Sequence, residues 1–298
     1  MIRLLIFKAK KNFMGFKILA FLFITTLSFA QTPIGIDTLM KKNRIKTRIQ
    51  LSCDAEGQNC RPHIISHYDS TGCLTRKETY SGDTLIETNR YEYNSAHLAH
   101  TVYTTLKEGA EFRNIRYIYD SKNNLISFMA CYPGGKCEPF EKYRYRPDGK
   151  LLSRTRYRDG QYFYEYQHKY NRQGNNTEIL ILSKDSDSGE REVKTYNDKG
   201  LHVSSKWIDY QGEEIDHAEY TYDEAGRMLS NRWIGGLSTQ KLYMYDELGN
   251  NTKYTSIDYN GQVDDLRVMT YEGQLITSRK QSDGKRLINY WKFEYEKW

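Results

Sequence analysis

The sequence predicts an all-β protein: tandem β-hairpin repeats of about 25 residues forming one extended, curved antiparallel sheet. Three observations predict it. Tyrosine occurs 26 times in 298 residues, while aliphatic residues are sparse and the mean hydropathy is −0.79. One tyrosine recurs at a nearly constant interval. Turn-forming residues stand at fixed offsets from it.

The recurring anchors are Tyr68, Tyr93, Tyr119, Tyr145, Tyr170, Tyr196, Tyr222, Tyr245, Tyr271 and Tyr295. Self-similarity at such a period marks one supersecondary unit that stacks on its neighbours. Two residues before the anchor stands a second ring, as Tyr91, Tyr117, Tyr143, Tyr220, Tyr243 and Phe293, with His168 in one copy. A spacing of two puts both side chains on one face of a strand. Asp or Asn follows the anchor in seven copies, among them Asp69, Asn94 and Asp120. Such side chains bond the backbone two residues on and start a turn. Four residues after the anchor comes Gly72, Gly149, Gly174, Gly200, Gly226 or Gly249, or Asn123, as a reversal at positive φ requires. A second strand follows, then a second turn such as Asp159-Gly160 or Asn260-Gly261. Each unit therefore reads as strand, turn, strand, turn. Ten buried rings replace the aliphatic core that the composition lacks. Their hydroxyls need partners, for which the adjacent Asp and Asn side chains are candidates.

The pattern Tyr-x-Tyr-[Asp/Asn]-x-x-Gly-x-Leu, best seen in Tyr220-Thr221-Tyr222-Asp223-Glu224-Ala225-Gly226 and Tyr243-Met244-Tyr245-Asp246-Glu247-Leu248-Gly249, resembles the YD repeat of the RHS family. MORN-variant repeats are the alternative family. The RHS resemblance spans about residues 60–298 and implies a spiralling sheet, in proteins often labelled carbohydrate-binding. Ten units are few for a closed shell. The expectation is an open RHS-like spiral.

The first thirty residues read as a signal peptide. Arg3, Lys8, Lys10, Lys11 and Lys17 precede the apolar run 18–30, which closes on Ser28-Phe29-Ala30, a small-x-small cleavage pattern. The start is Met1 or Met14. Residues 31–50 read as a linker and 51–298 as the YD-like domain. No later apolar run suits a spanning helix. The protein is thus expected to be exported: periplasmic, secreted or on the cell surface. Loss of the five basic leader residues leaves 39 Lys and Arg against 38 Asp and Glu. That balance lacks the clustered positive charge of a nucleic-acid binder.

In an exported chain the cysteines read as two disulfides, Cys53–Cys60 and Cys131–Cys137, each straddling the turn before an anchor strand. Cys73 is left over as a small buried residue. The histidines, including His63, His67, His97 and His100, are scattered and suggest no metal site. Asp264-Asp265 and Glu213-Glu214 are adjacent carboxylates that point apart on any strand. No nucleophile elbow, phosphate loop or dinucleotide fingerprint occurs. The chain reads as a non-enzyme without cofactor.

Trp207 and Trp233 each lie eleven residues after an anchor, about 10 Å apart on one sheet face. They could form a platform for a sugar or a wide spot in the core. The functional expectation is an interaction module presenting a curved sheet to a protein or envelope partner. The alternative is a carbohydrate-binding protein using exposed aromatics.

Overall fold

The computed structural model describes residues 35–107, 109–184, 186–235 and 238–298. The expected signal peptide, 1–30, lies outside the described residues. Residues 35–50, expected as a linker, are folded. A short helix, α1 (Thr38–Lys42), is capped by the Asp37 carboxylate, which accepts from the Leu39 and Met40 amides at 3.0 and 3.1 Å. Strand β1 (Ile45–Cys53) follows.

Twenty strands run from β1 to β20 (Leu287–Lys297), each antiparallel to the next. The open spiral expected from the sequence is not what forms. β1 pairs with β2 (Arg61–Tyr68) on one side and with β20 on the other, over eight register pairs from Ile45↔Lys297 to Cys53↔Tyr290. The sheet closes into a barrel. Every other anchor strand is hydrogen-bonded to the second strand of its own unit, as β4 (Thr84–Tyr93) is to β5 (Ala99–Leu106). For β20 that place is taken by β1, so the two extremes of the folded chain complete one hairpin unit. The Trp298 amide also donates to the Arg44 carbonyl across this seam, at 2.9 Å.

Closure has a local cause that repeats. At nine anchors the register slips by one residue, from His67/Tyr68 in the first unit to Thr270/Tyr271 in the ninth. A β-bulge bends its strand and increases local twist. The same bend repeated in every unit curls a ribbon that a bulge-free sheet would leave open.

The anchor hydroxyls do not bond the adjacent Asp or Asn as expected. Nine of them donate to a backbone carbonyl at the start of the preceding strand, from Tyr93 to Leu74 at 2.7 Å through Tyr295 to Ile276 at 2.9 Å. These carbonyls sit at the sheet end, where the ladder between the two strands has run out. Each anchor is therefore held by its main chain to the next strand and by its hydroxyl to the one before. Tyr68 is the exception, and its ring packs against Met40 and Ile45 under α1.

The Asp and Asn side chains instead shape the turns. Asp69 Oδ1 accepts from the Thr71 and Cys73 amides, and Asn94 and Asp120 repeat this at the equivalent amides. The glycine slot has positive φ, +87° at Gly72 and +64° at Asn123, and His97 takes it at +56° in the second unit.

Candidate functional site: the inner wall of the barrel

Strands in a sheet lie about 4.8 Å apart, so twenty enclose a circumference of about 100 Å, too wide for inward side chains to fill. The wall is one layer thick and encloses a lumen. Alternation then divides each strand into two faces. One bears the rings two residues before the anchors, of which Tyr117 and Tyr143 are at most 7% exposed, together with Tyr166 two residues before His168, at 4%. Among the described residues no second layer covers that face. Its burial comes from crowding among its own side chains, which happens on the concave side. These rings therefore face inward. On the alternate positions Arg116, Lys142, Arg144, Lys206, Arg232 and Lys253 are exposed. Several of these outer charges join ion pairs, Arg144 to Glu165 at 2.9 Å and Lys206 to Glu214 at 2.8 Å.

The inner wall mixes rings with ionic groups. On β8 (Cys137–Tyr145), β9 (Leu151–Arg158) and β10 (Gln161–Tyr170), the Tyr143 hydroxyl donates to buried Glu141. Arg156 Nε lies 3.3 Å from the same carboxylate and Arg154 3.9 Å from it. The Arg154 guanidinium lies over Tyr166, 4.3 Å from the ring centroid. Burial, and then the Glu141 charge, drive the Tyr143 phenol well above its usual range. Burial likewise pushes Tyr91 and Tyr220 up to about 12, and it lowers His168 to about 4. A second cluster on β17 (Asn251–Ile257) and β18 (Val263–Glu272) sets Arg267 against Asp265 and over Tyr254 at 4.9 Å.

The tryptophan pair lies on this wall too. Trp207, on β13 (His202–Ile208), and Trp233, on β15 (Met228–Ile234), stand two strands apart, but their rings stack at 4.4 Å between centroids and 24° between planes. The expected separation of about 10 Å holds for the backbones; on a concave wall the side chains converge. Trp207 is 4% exposed and Trp233 half-buried, so what the pair exposes belongs mainly to Trp233.

Ser205, His202 and Glu192 come together, with Ser205 Oγ donating to Glu192 Oε1 at 2.8 Å and lying 3.0 Å from His202 Nε2. That nitrogen also lies 2.9 Å from the Ser204 carbonyl, so it serves as a donor and cannot take the serine proton. Ser205 is fully buried. Asp264 and Asp265 point apart, Asp264 to solvent and Asp265 to Arg267. Glu214 is held by Lys206, which lowers its carboxyl below the usual range. Among the described residues no three His, Cys, Asp or Glu are placed to share a metal ion.

Both expected cysteine pairs are disulfides, Cys53–Cys60 and Cys131–Cys137. Both close turns at the rim opposite the anchor turns. Cys73 is a buried free thiol, covered by the bridge between Ile36 and Cys73 that leads into α1.

Neither a family model nor a curated protein matches the chain, so the likeness to YD repeats remains one of motif. Among solved structures, TcdB2-TccC3 without its hypervariable C-terminal region is similar at 14% identity and a TM-score of 0.24, over 77% of this chain and 16% of that one. A porin-like protein from Bacteroides uniformis ATCC 8492 is similar at 12% identity and a TM-score of 0.35, over 85% and 98%. One from Bacteroides vulgatus ATCC 8482 matches at 8% and 0.31, over the same shares. At these scores no property of those proteins transfers to this one.

Proposed function

We propose that the protein is an exported, water-soluble interaction barrel of the cell envelope, without enzymatic activity, whose partner is an envelope polysaccharide taken up along the inner wall. The observation that carries this reading is the division of the two faces. A membrane-spanning barrel turns an apolar band outward. Here the outward positions at mid-strand carry exposed Arg and Lys among scattered apolar residues such as Met244 and Val268, not a continuous apolar band, which favours water on that side. The inward positions offer rings, amides, carboxylates and guanidinium groups to a lumen, the mixture that stacks on and hydrogen-bonds a sugar chain. The half-buried Trp233, stacked on Trp207, is one such place.

The test uses mature protein beginning at Gln31, purified without detergent and applied to an array of bacterial polysaccharides. The expected result is detergent-free solubility and binding of at least one glycan. Trp233→Ala on the inner wall should weaken it, while Arg144→Gln on the outer wall leaves it unchanged. A requirement for detergent, or equal binding by both variants, would overturn the proposal.

A further inference from the structure

On the inner wall the arginines are compensated. Arg154 and Arg156 share Glu141, and Arg267 is held by both oxygens of Asp265. Arg279 differs. It sits mid-strand on β19 (Leu275–Ser282), directly opposite Trp291 of β20. Its guanidinium lies over that ring, 4.2 Å from the centroid. No carboxylate pairs with it among the described residues, and its Nε is buried without a hydrogen-bond partner. Asp265, whose charge acts on Arg279, is already engaged by Arg267 and by Gln281 Nε2 at 3.0 Å. Burial and the like charge of Arg267 lower its proton affinity from the usual guanidinium value. A cation kept this way, desolvated and beside another cation, is costly unless a further group completes it.

The contact with Trp291 places the guanidinium over the ring, and a guanidinium presents a planar fork that matches a two-oxygen anion. Carboxylate, sulfate and phosphate share that chemistry; on the proposed ligand it would be the carboxylate of an acidic sugar. We propose that Arg279, seated on Trp291, is an anion-recognition residue of the lumen that selects acidic over neutral polysaccharide. This rests on the inner wall being the glycan-binding surface.

Titration calorimetry on the mature protein would compare trigalacturonate, its methyl ester, a sulfated galactose trisaccharide and neutral galactotriose. The expected result is binding of the free acid at least tenfold tighter than that of its ester. Arg279→Gln should erase that difference without changing affinity for the neutral sugar, and Arg279→Lys should keep part of it. A sulfated sugar preferred over the uronate in an Arg279-dependent way would overturn the carboxylate assignment. Equal binding of acid and ester by the parent protein, or a difference that survives Arg279→Gln in a variant with unchanged melting temperature, would overturn the proposal as a whole. If no saccharide binds, the polysaccharide reading fails separately. Sodium sulfate alone then decides for Arg279: saturable tryptophan quenching that Arg279→Gln abolishes supports an anion site, and no quenching ends it.

Discussion

The two rims of the barrel are built by different rules. At the anchor rim, eight of the nine turns between strands are five residues long, from 69–73 to 246–250, and the ninth is the two-residue 273–274. At the far rim the turns range from two residues, Gly82-Asp83, to seven, 54–60. The first rim repeats because three devices coincide there: an Asx side chain that shapes the turn, a glycine-slot residue at positive φ, and a tyrosine hydroxyl that caps a neighbouring carbonyl. The far rim uses the Asx side chain and the positive-φ glycine in some turns, as at Asp209 with Gly212 and Asp258 with Gly261, and lacks the tyrosine cap that unites the first. It varies in length, exposes Tyr132, Tyr210 and Tyr259 to solvent, and holds two of its turns with disulfides. Turn chemistry is thus uniform at one end of the strands and varied at the other, while register slips occur in the hairpins of both rims.

Removing a tyrosine from each rim gives the sharpest contrast. Tyr145→Ala loses a packed ring and the bond to Leu125 and should cost about 3–4 kcal/mol. Tyr145→Phe, losing only the bond, should cost about 1 kcal/mol. Tyr210→Ala on the far rim, where the ring is half exposed, should stay within about 0.5 kcal/mol. Urea denaturation of the four proteins measures all three. Similar losses at Tyr145 and Tyr210 would erase the distinction between the rims.

The disulfides come next. Each closes a loop of six or seven residues in sequence separation, which in the chain-entropy model is worth about 2–3 kcal/mol. Reduction should therefore lower the melting temperature while circular dichroism below the transition stays that of a β-sheet. Loss of the sheet on reduction would show that the anchor rim cannot hold the barrel alone.

A smaller, pH-dependent effect sits on the wall between the rims. His168 is lowered to about 4 by burial first and by Arg154 and Lys194 second, so the folded state favours its neutral form. That stability is fully present above the unfolded value near 6.5 and is lost as pH falls toward about 4. A His168→Phe variant should show a flatter decline of melting temperature between pH 6.5 and 4 than the parent. Parallel curves would exclude His168 as the cause.

Much of this was legible in the residues. The anchors, the Asx positions and the glycine slot are local signals, and each acts within a few residues of where it stands. The cysteine pairs were legible for the same reason, since each straddles one turn. The tyrosine hydroxyl partners were not: Leu74 lies 19 residues from Tyr93, and only strand pairing brings its carbonyl within reach. Nor was Arg279 legible, because its lack of a counter-charge is a property of three neighbouring strands.

By itself, the sequence determined the repeat, the hairpin within it and the turn chemistry, all of which depend on contacts of short range. Closure was decided only by the tertiary structure. A single bulge bends a strand slightly in any sheet, and whether many of them curl a ribbon back upon itself depends on their sum and on β1 meeting β20 across the length of the chain. With closure came the distinction between an inner and an outer face: the local pattern separates two faces of a strand, and only the direction of curling decides which of them lines the lumen.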